Sequence, residues 1–126
     1  MDDTERARQG MTVRREVLGD EHVDRAVAGT TAFTAPFQDF ITRYAWGDIW
    51  SRPGLSRAER SLVTLAVLAA MQHEGELAMH VKAALRNGLT PEQIDSALEP
   101  SGYLGAAGAF VTAALDAHEK LGNLHG

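Results

Sequence analysis

SLVTLAVLAAMQHEGELAMHVKAALRN, residues 61–87, is the stretch that decides the fold. It consists of a long apolar run, an abrupt polar segment and then a run whose apolar residues recur at helical spacing. Gly75 lies just after the polar junction and weakens a helix by roughly 1 kcal/mol relative to alanine. The stretch therefore predicts helical structure, either as one continuous helix or as two helices separated between Gln72 and Glu74.

The remainder of the chain carries helix boundaries rather than strand patterns. No segment alternates apolar and polar residues with a period of two over a useful length. Helices are predicted from Thr4 to Leu18, from Asp20 to Ala28, from Thr34 to Trp50, from Ser56 into the apolar run, from Thr90 to the break at Pro100, and from residue 103 to residue 121. The sequence therefore predicts an all-α, single-domain helical bundle of six to seven helices over residues 1–126.

Composition excludes several classes of protein. The chain has 126 residues, a formal net charge of −5 and a pI near 5.4, and we expect no nucleic-acid partner because phosphate binding needs a basic face. It has no cysteine, which excludes disulfides and thiolate chemistry. The polar amino end and the short apolar run at residues 62–71 predict neither a signal segment nor a membrane span. We therefore expect a soluble cytoplasmic protein without a membrane partner.

One dense cluster of proton-active groups stands out. His73, Glu76 and His80 are spaced three and four apart, which places them on one face of a continuous helix. A carboxylate one turn from an imidazole can fix its tautomer and raise its basicity, and this suits general acid or base catalysis. The same spacing is also typical of a solvated surface pair, and both interpretations remain open. Two histidines and a carboxylate can also bind a metal, but Leu77 occupies the second histidine position of an HExxH motif, and no metal site is predicted.

Arg60 is a candidate for substrate binding. It lies at the start of the apolar run, next to Arg57 and Glu59. A surface ion pair would contribute little to stability, whereas a planar guanidinium is well suited to hold a substrate carboxylate.

The other histidines and the large aromatic residues are assigned no chemistry at this point. The histidines have no patterned charged neighbours and are predicted to be solvated: His22, His118 and His125. The aromatic residues are predicted to lie in the core or at a subunit interface: Tyr44, Trp46 and Trp50.

Three segments carry a resemblance to a known family. They read GMTVRREVLGDEHVDRA from Gly10, FQDFITRYAWGDIWSRPGLSRAERSLVTLA from Phe37 and GELAMHVKAALRNGLTPEQI from Gly75. With these segments the chain resembles the carboxymuconolactone decarboxylase family, which has an alkylhydroperoxidase D-like fold. The resemblance implies an all-α subunit in a ring-like homo-oligomer, a hexamer, and a decarboxylase of a carboxylated lactone in aromatic catabolism that uses no metal ion or organic cofactor.

The resemblance also implies roles for individual residues. The family has a glutamate and a histidine four apart at the start of this helix, and these positions are Glu76 and His80 here. By this comparison His80 is the general acid, Glu76 orients it, Arg60 binds a substrate carboxylate and His73 donates a hydrogen bond to the lactone oxygen. The cysteine pair of the related peroxidases is replaced by His73 and Glu76, so peroxidase chemistry is not expected.

The segment EPSGYLGAAGAF, residues 99–110, departs from the family pattern because Pro100 and Gly102 interrupt it. This departure keeps two alternatives open. One is an enzyme that acts on another lactone or on a β-keto acid. The other is a non-catalytic oligomeric binding module.

Overall fold

The computed structural model describes residues 1–99 and Lys120. Six α-helices lie in this part: α1 (Asp3–Leu18), α2 (Asp20–Ala28), α3 (Ala35–Ile41), α4 (Arg57–Ala70), α5 (Glu74–Arg86) and α6 (Pro91–Leu98). A π-helical turn (Thr42–Trp46) and a 3-10 turn (Ile49–Ser51) lie between α3 and α4. The described residues contain no strand, and the all-α prediction of six to seven helices is confirmed. The helix predicted for residues 103–121 falls outside the described residues, apart from Lys120.

Two helix starts differ from their predicted positions by one or two residues. Asp2, not Thr4, caps α1, because its Oδ1 accepts a hydrogen bond from the N–H of Glu5 at 2.8 Å. Gly19 is the N-cap of α2, and Asp20 is its first helical residue. Gly19 takes a φ of +88°, a conformation that glycine adopts without the steric cost of a Cβ.

Capping boxes begin α4 and α6 where the sequence predicts them. In α4 the N–H of Glu59 donates to Ser56 Oγ at 3.1 Å, and the N–H of Ser56 donates to Glu59 Oε2 at 2.7 Å. Thr90 and Gln93 form the same reciprocal pair at the start of α6. Each pair satisfies two backbone donors at a helix start, which explains why these boundaries can be predicted from local sequence.

The prediction of a single helix from Thr34 to Trp50 is wrong. After α3 the chain forms the π-helical turn, in which the N–H of Gly47 donates to the carbonyl of Thr42, five residues back, at 3.0 Å. Helix α1 packs closely against this turn, because a Cβ on Gly10 would overlap the Thr42 carbonyl oxygen. The apolar stripe does not reveal this contact because it is tertiary.

Two apolar clusters meet at α5. The first joins α1, α2, the π-helical turn and α5 through Val13, Val17, Leu18, Val23, Trp46 and Ala83. The second joins α4, α5 and the start of α6 through Leu65, Ala84, Leu89 and Ile94. Because Ala83 belongs to the first cluster and Ala84 to the second, α5 lies between the two clusters. The side chains of α5 are therefore held from both sides.

The break in the central stretch occurs between α4 and α5. Gln72 takes a φ of +58°, and the N–H of His73 donates to the carbonyl of Leu68 at 3.0 Å. Of the two predicted arrangements, the structure therefore has the one with two separate helices.

No helix in the described part of the chain combines the length and the apolar character that crossing a bilayer requires.

Candidate active site

His80 is the buried polar residue of α5. Its side chain lies one turn before Ala83 and Ala84, and the residue is 8% exposed. Within the described residues, Nδ1 of the ring is buried and has no hydrogen-bond partner. An unsatisfied buried polar atom costs about 1–3 kcal/mol and is rare in folded proteins. A buried imidazole nitrogen that no described residue satisfies is a candidate for a functional role.

Trp50 lies against the His80 ring. The two ring centroids are 6.5 Å apart, and the planes are inclined by 26°. Trp50 is held in turn by Trp46, whose ring centroid is 5.2 Å away. The sequence analysis assigned Trp50 only to the core or to an interface, because nothing in the local pattern connects it with a histidine 30 positions later.

The surroundings of His80 disfavour its charged form. Burial lowers its pKa from the ordinary value of 6.5, the Glu76 carboxylate acts in the opposite direction, and His22 lowers the pKa further. His22 is partly exposed and lines a pocket between α2 and α5. His118 and His125, also predicted to be solvated, lie outside the described residues. Burial also lowers the pKa of His22, with Arg25 and Arg14 acting in the same direction.

Glu76 and His73 occupy different surroundings from His80. Glu76 lies in the first turn of α5 with an exposed side chain. Its carboxylate influences the pKa of His80, but the described residues show no hydrogen bond between the two. His73 is exposed at the N-cap position of α5 and makes no side-chain capping bond. The structure thus brings Glu76 and His80 into one electrostatic group and leaves His73 at the helix start.

Arg60 lines a groove that also contacts Trp50. The groove has a volume of about 160 Å³ and is otherwise lined by Ile49, Leu55, Val63 and Thr64. Arg60 Nη2 donates to the carbonyl of Arg52 at 2.8 Å, which fixes one side of the guanidinium. The groove gives a substrate carboxylate apolar surroundings and one cation. Trp50 connects this groove to the His80 ring.

The described residues contain no group of three or more His, Asp or Glu side chains arranged to hold a metal ion. The groups that the structure does bring together are a buried imidazole, an aromatic ring beside it and a guanidinium in the adjoining groove. This set can bind an anion and places a buried acid–base group near it. The fold and site therefore define a small all-α protein equipped for acid–base chemistry on an anionic substrate.

The chain belongs to the carboxymuconolactone decarboxylase family, whose model matches residues 35–120. It is 51% identical over 94 residues to the 4-carboxymuconolactone decarboxylase of Acinetobacter baylyi (strain ATCC 33305 / BD413 / ADP1), with 75% of this chain and 70% of that protein covered. A 48-residue sequence from Pseudomonas putida, also called 4-carboxymuconolactone decarboxylase, is 52% identical over its whole length and covers 38% of this chain.

One relative carries a different name. The nitrosuccinic acid decarboxylase of Metarhizium robertsii (strain ARSEF 23 / ATCC MYA-3075) is 42% identical over 98 residues, which cover 77% of this chain and 68% of that protein. The names of the similar proteins thus agree on decarboxylation and differ in the substrate.

Proposed function

We propose that this protein is a carboxy-lyase that converts 4-carboxymuconolactone to β-ketoadipate enol-lactone in the protocatechuate branch of aromatic catabolism, without a metal ion or an organic cofactor. The observation that carries the proposal is the 51% identity to a 4-carboxymuconolactone decarboxylase over three quarters of the chain. The burial of His80 against Trp50 supports it independently, because decarboxylation of such a lactone needs an acid and a site from which water is excluded.

The proposed decarboxylation has two steps. The bond between the ring carbon and the departing carboxylate breaks, CO2 leaves, and the electron pair moves through the ring to the lactone carbonyl oxygen. The resulting dienolate then takes a proton at carbon, which restores the lactone. The site must stabilise the developing negative charge and supply that proton.

Each candidate site residue has a proposed role in this reaction. In this proposal His80 protonates the dienolate, and the negative charge of Glu76 favours the imidazolium form before the transfer. Arg60 binds a substrate carboxylate from the groove beside Trp50. His73 donates a hydrogen bond to the lactone oxygen.

The pH dependence of turnover tests the role of His80. Because burial lowers the pKa of the imidazole, the protonated acid is lost in the free enzyme as the pH rises through a value below 6.5, and kcat/KM should fall with it. A bound carboxylated substrate favours the imidazolium, so the corresponding fall in kcat should occur at higher pH. Rates measured from about pH 5 to about pH 9 give both profiles. A kcat/KM that is flat or rises across this range would contradict the assignment.

Replacing Arg60 tests the carboxylate clamp. Arg60→Ala should raise KM by about 10- to 100-fold, the equivalent of one charge-assisted hydrogen-bonded contact, and should change kcat much less if the contact is equally strong in ground and transition states. Arg8→Ala is the matched control. Arg8 is exposed on α1, and its ion pair with Glu5 is long, at 4.0 Å. An unchanged KM for Arg60→Ala would remove this residue from substrate binding.

A second candidate substrate comes from the 42% identity to a nitrosuccinic acid decarboxylase. Nitrosuccinic acid is also a dicarboxylic acid, and loss of CO2 beside its nitro group likewise leaves a delocalised anion that must be protonated. The departure of residues 99–110 from the family pattern is compatible with either substrate, or with another lactone or β-keto acid.

Substrate identity is tested by offering 4-carboxymuconolactone and nitrosuccinate separately to the purified protein and following the products by NMR. A kcat/KM at least about 100-fold higher for the lactone supports the proposed reaction. Preference for nitrosuccinate would replace the substrate and keep the reaction class. Saturable binding of either compound without product would indicate a binding module.

The assembly and location of the protein also belong to this proposal. We propose a cytoplasmic homohexamer in which residues 1–126 form a single domain of each subunit. Exposed apolar side chains on α3 and α4 are compatible with burial between subunits: Phe37, Phe40, Val63 and Val67. Sedimentation analysis at several protein concentrations measures the assembly, and a monomer at all of them would contradict the hexamer.

A further inference from the structure

A second pocket lies between α2 and α5, away from the groove of Arg60. It has a volume of about 310 Å³ and a partly apolar wall that includes Leu18 and Met79. Its remaining polar lining is mainly basic, with His22 and Arg25 from α2 and Lys82 and Arg86 from α5. We call it the α2–α5 pocket.

Positive charge in this pocket exceeds negative charge. Three permanent cations line it together with one carboxylate, that of Glu21, which pairs with Arg25 at 2.9 Å. Lys82 and Arg86 have no ion-pair partner among the described residues. Such a local excess is notable in a chain whose net charge is −5, and it favours an anion as the occupant.

Arg86 is held in place without a carboxylate. Its Nη1 donates to the carbonyl of Leu18 at 3.1 Å, and the guanidinium lies directly over Gly19, where a Cβ would come within 2.6 Å of Nη2. The absent side chain of Gly19 makes room for the guanidinium at the junction of α1 and α2. Arg86 can therefore bind an anion with little further loss of side-chain freedom.

His22 links the pocket to the candidate active site. It lines the pocket, and its charge influences the pKa of His80. The charged groups that act on His22 itself come from three helices: Arg25 on α2, Arg14 on α1, and Glu76 and Arg86 on α5. An anion in the pocket offsets the cations of this set. His22 then holds a proton more readily.

We propose that the α2–α5 pocket binds a small carboxylate anion, with Lys82 and Arg86 as its cationic partners and His22 in its wall. The carboxylate belongs either to the substrate itself or to a separate dicarboxylate, and the chemistry of recognition is the same. Competition with the substrate rests on the proposed decarboxylase function, whereas the binding of the anion does not depend on turnover.

The binding test uses succinate as the probe and the imidazole NMR signals of the full chain as the readout, with His22→Gln to assign the signal of His22. Succinate should shift this signal in a saturable way and raise the pKa of His22. Lys82→Gln should weaken succinate binding by about fivefold, and Lys82→Arg should retain it. The control Arg8→Gln removes the same charge from an exposed site. Arg8 lies ten residues before Leu18, about 15 Å away along α1, so this variant should change succinate binding less than twofold.

The outcomes are distinct. An unsaturable shift, or equal weakening by Lys82→Gln and Arg8→Gln, would mean non-specific ionic attraction and would overturn the proposal. If the site takes the substrate carboxylate, succinate competes with substrate and Lys82→Gln raises KM. If it takes a separate anion, Lys82→Gln leaves KM unchanged, and succinate does not compete with substrate. A protein without decarboxylase activity still gives the succinate result, so failure of the proposed function can be recognised separately.

Discussion

His80→Ala should lower kcat by about 10²- to 10⁴-fold, the range typical of the loss of a positioned general acid. The expectation rests on the burial of the residue at 8% exposure, on an Nδ1 that no residue in the described part of the chain satisfies, and on the stacking of the ring with Trp50. The turn of α5 that follows His80 carries Ala83 and Ala84, which cannot replace the acid. The measurement is the rate of CO2 release at saturating substrate.

His80→Gln is the companion variant, because glutamine has a comparable polar side chain but cannot act as an acid near neutral pH. It should be as inactive as His80→Ala. Both variants should keep the helix content and assembly of the parent protein, measured by circular dichroism and sedimentation. Retention of more than about a tenth of the parent kcat in both folded variants would exclude His80 as the general acid.

The second large effect is expected from Gly10→Ala, which should destabilise the fold by about 3 kcal/mol, at the upper end of the cost of overpacking. A Cβ on Gly10 would overlap the Thr42 carbonyl oxygen and come within 2.9 Å of Gly47 N. These are backbone atoms of the π-helical turn, so α1 must move away from it. The better helix propensity of alanine offsets only about 1 kcal/mol of this cost.

Gly75→Ala is the matched control for Gly10→Ala. Gly75 is also helical, but no atom lies within 4 Å of the Cβ that alanine would add. This variant should be more stable than the parent by up to about 1 kcal/mol. Thermal unfolding at one protein concentration, which must be fixed for an oligomer, measures both. Equal melting temperatures for Gly10→Ala and the parent would contradict the close packing of α1 on the π-helical turn.

The sequence predicts those parts of the fold that depend on local interactions. The capping boxes at Ser56 and Thr90 can be recognised because cap and partner are three residues apart. The all-α class follows from apolar spacing. The π-helical turn could not be predicted, because it depends on the approach of Gly10 from another helix.

The candidate site divides in the same way. His80 and Glu76 could be selected because they share one helical turn and match a family motif, and Arg60 because it begins the apolar run. Trp50 and His22 could not, because only tertiary packing brings them to His80. The burial that makes His80 a candidate acid is likewise a property of the folded chain. Local spacing is equally compatible with a solvated pair.

The most direct test of the proposed reaction is CO2 release from 4-carboxymuconolactone by the purified, chelator-treated protein, with His80→Ala measured beside it. We predict turnover by the parent protein that persists after chelation and is lost in the folded variant. Turnover that disappears on chelation would contradict a metal-independent reaction, and equal turnover by both proteins would contradict the role of His80. No turnover by a folded, oligomeric parent protein would contradict the proposed substrate.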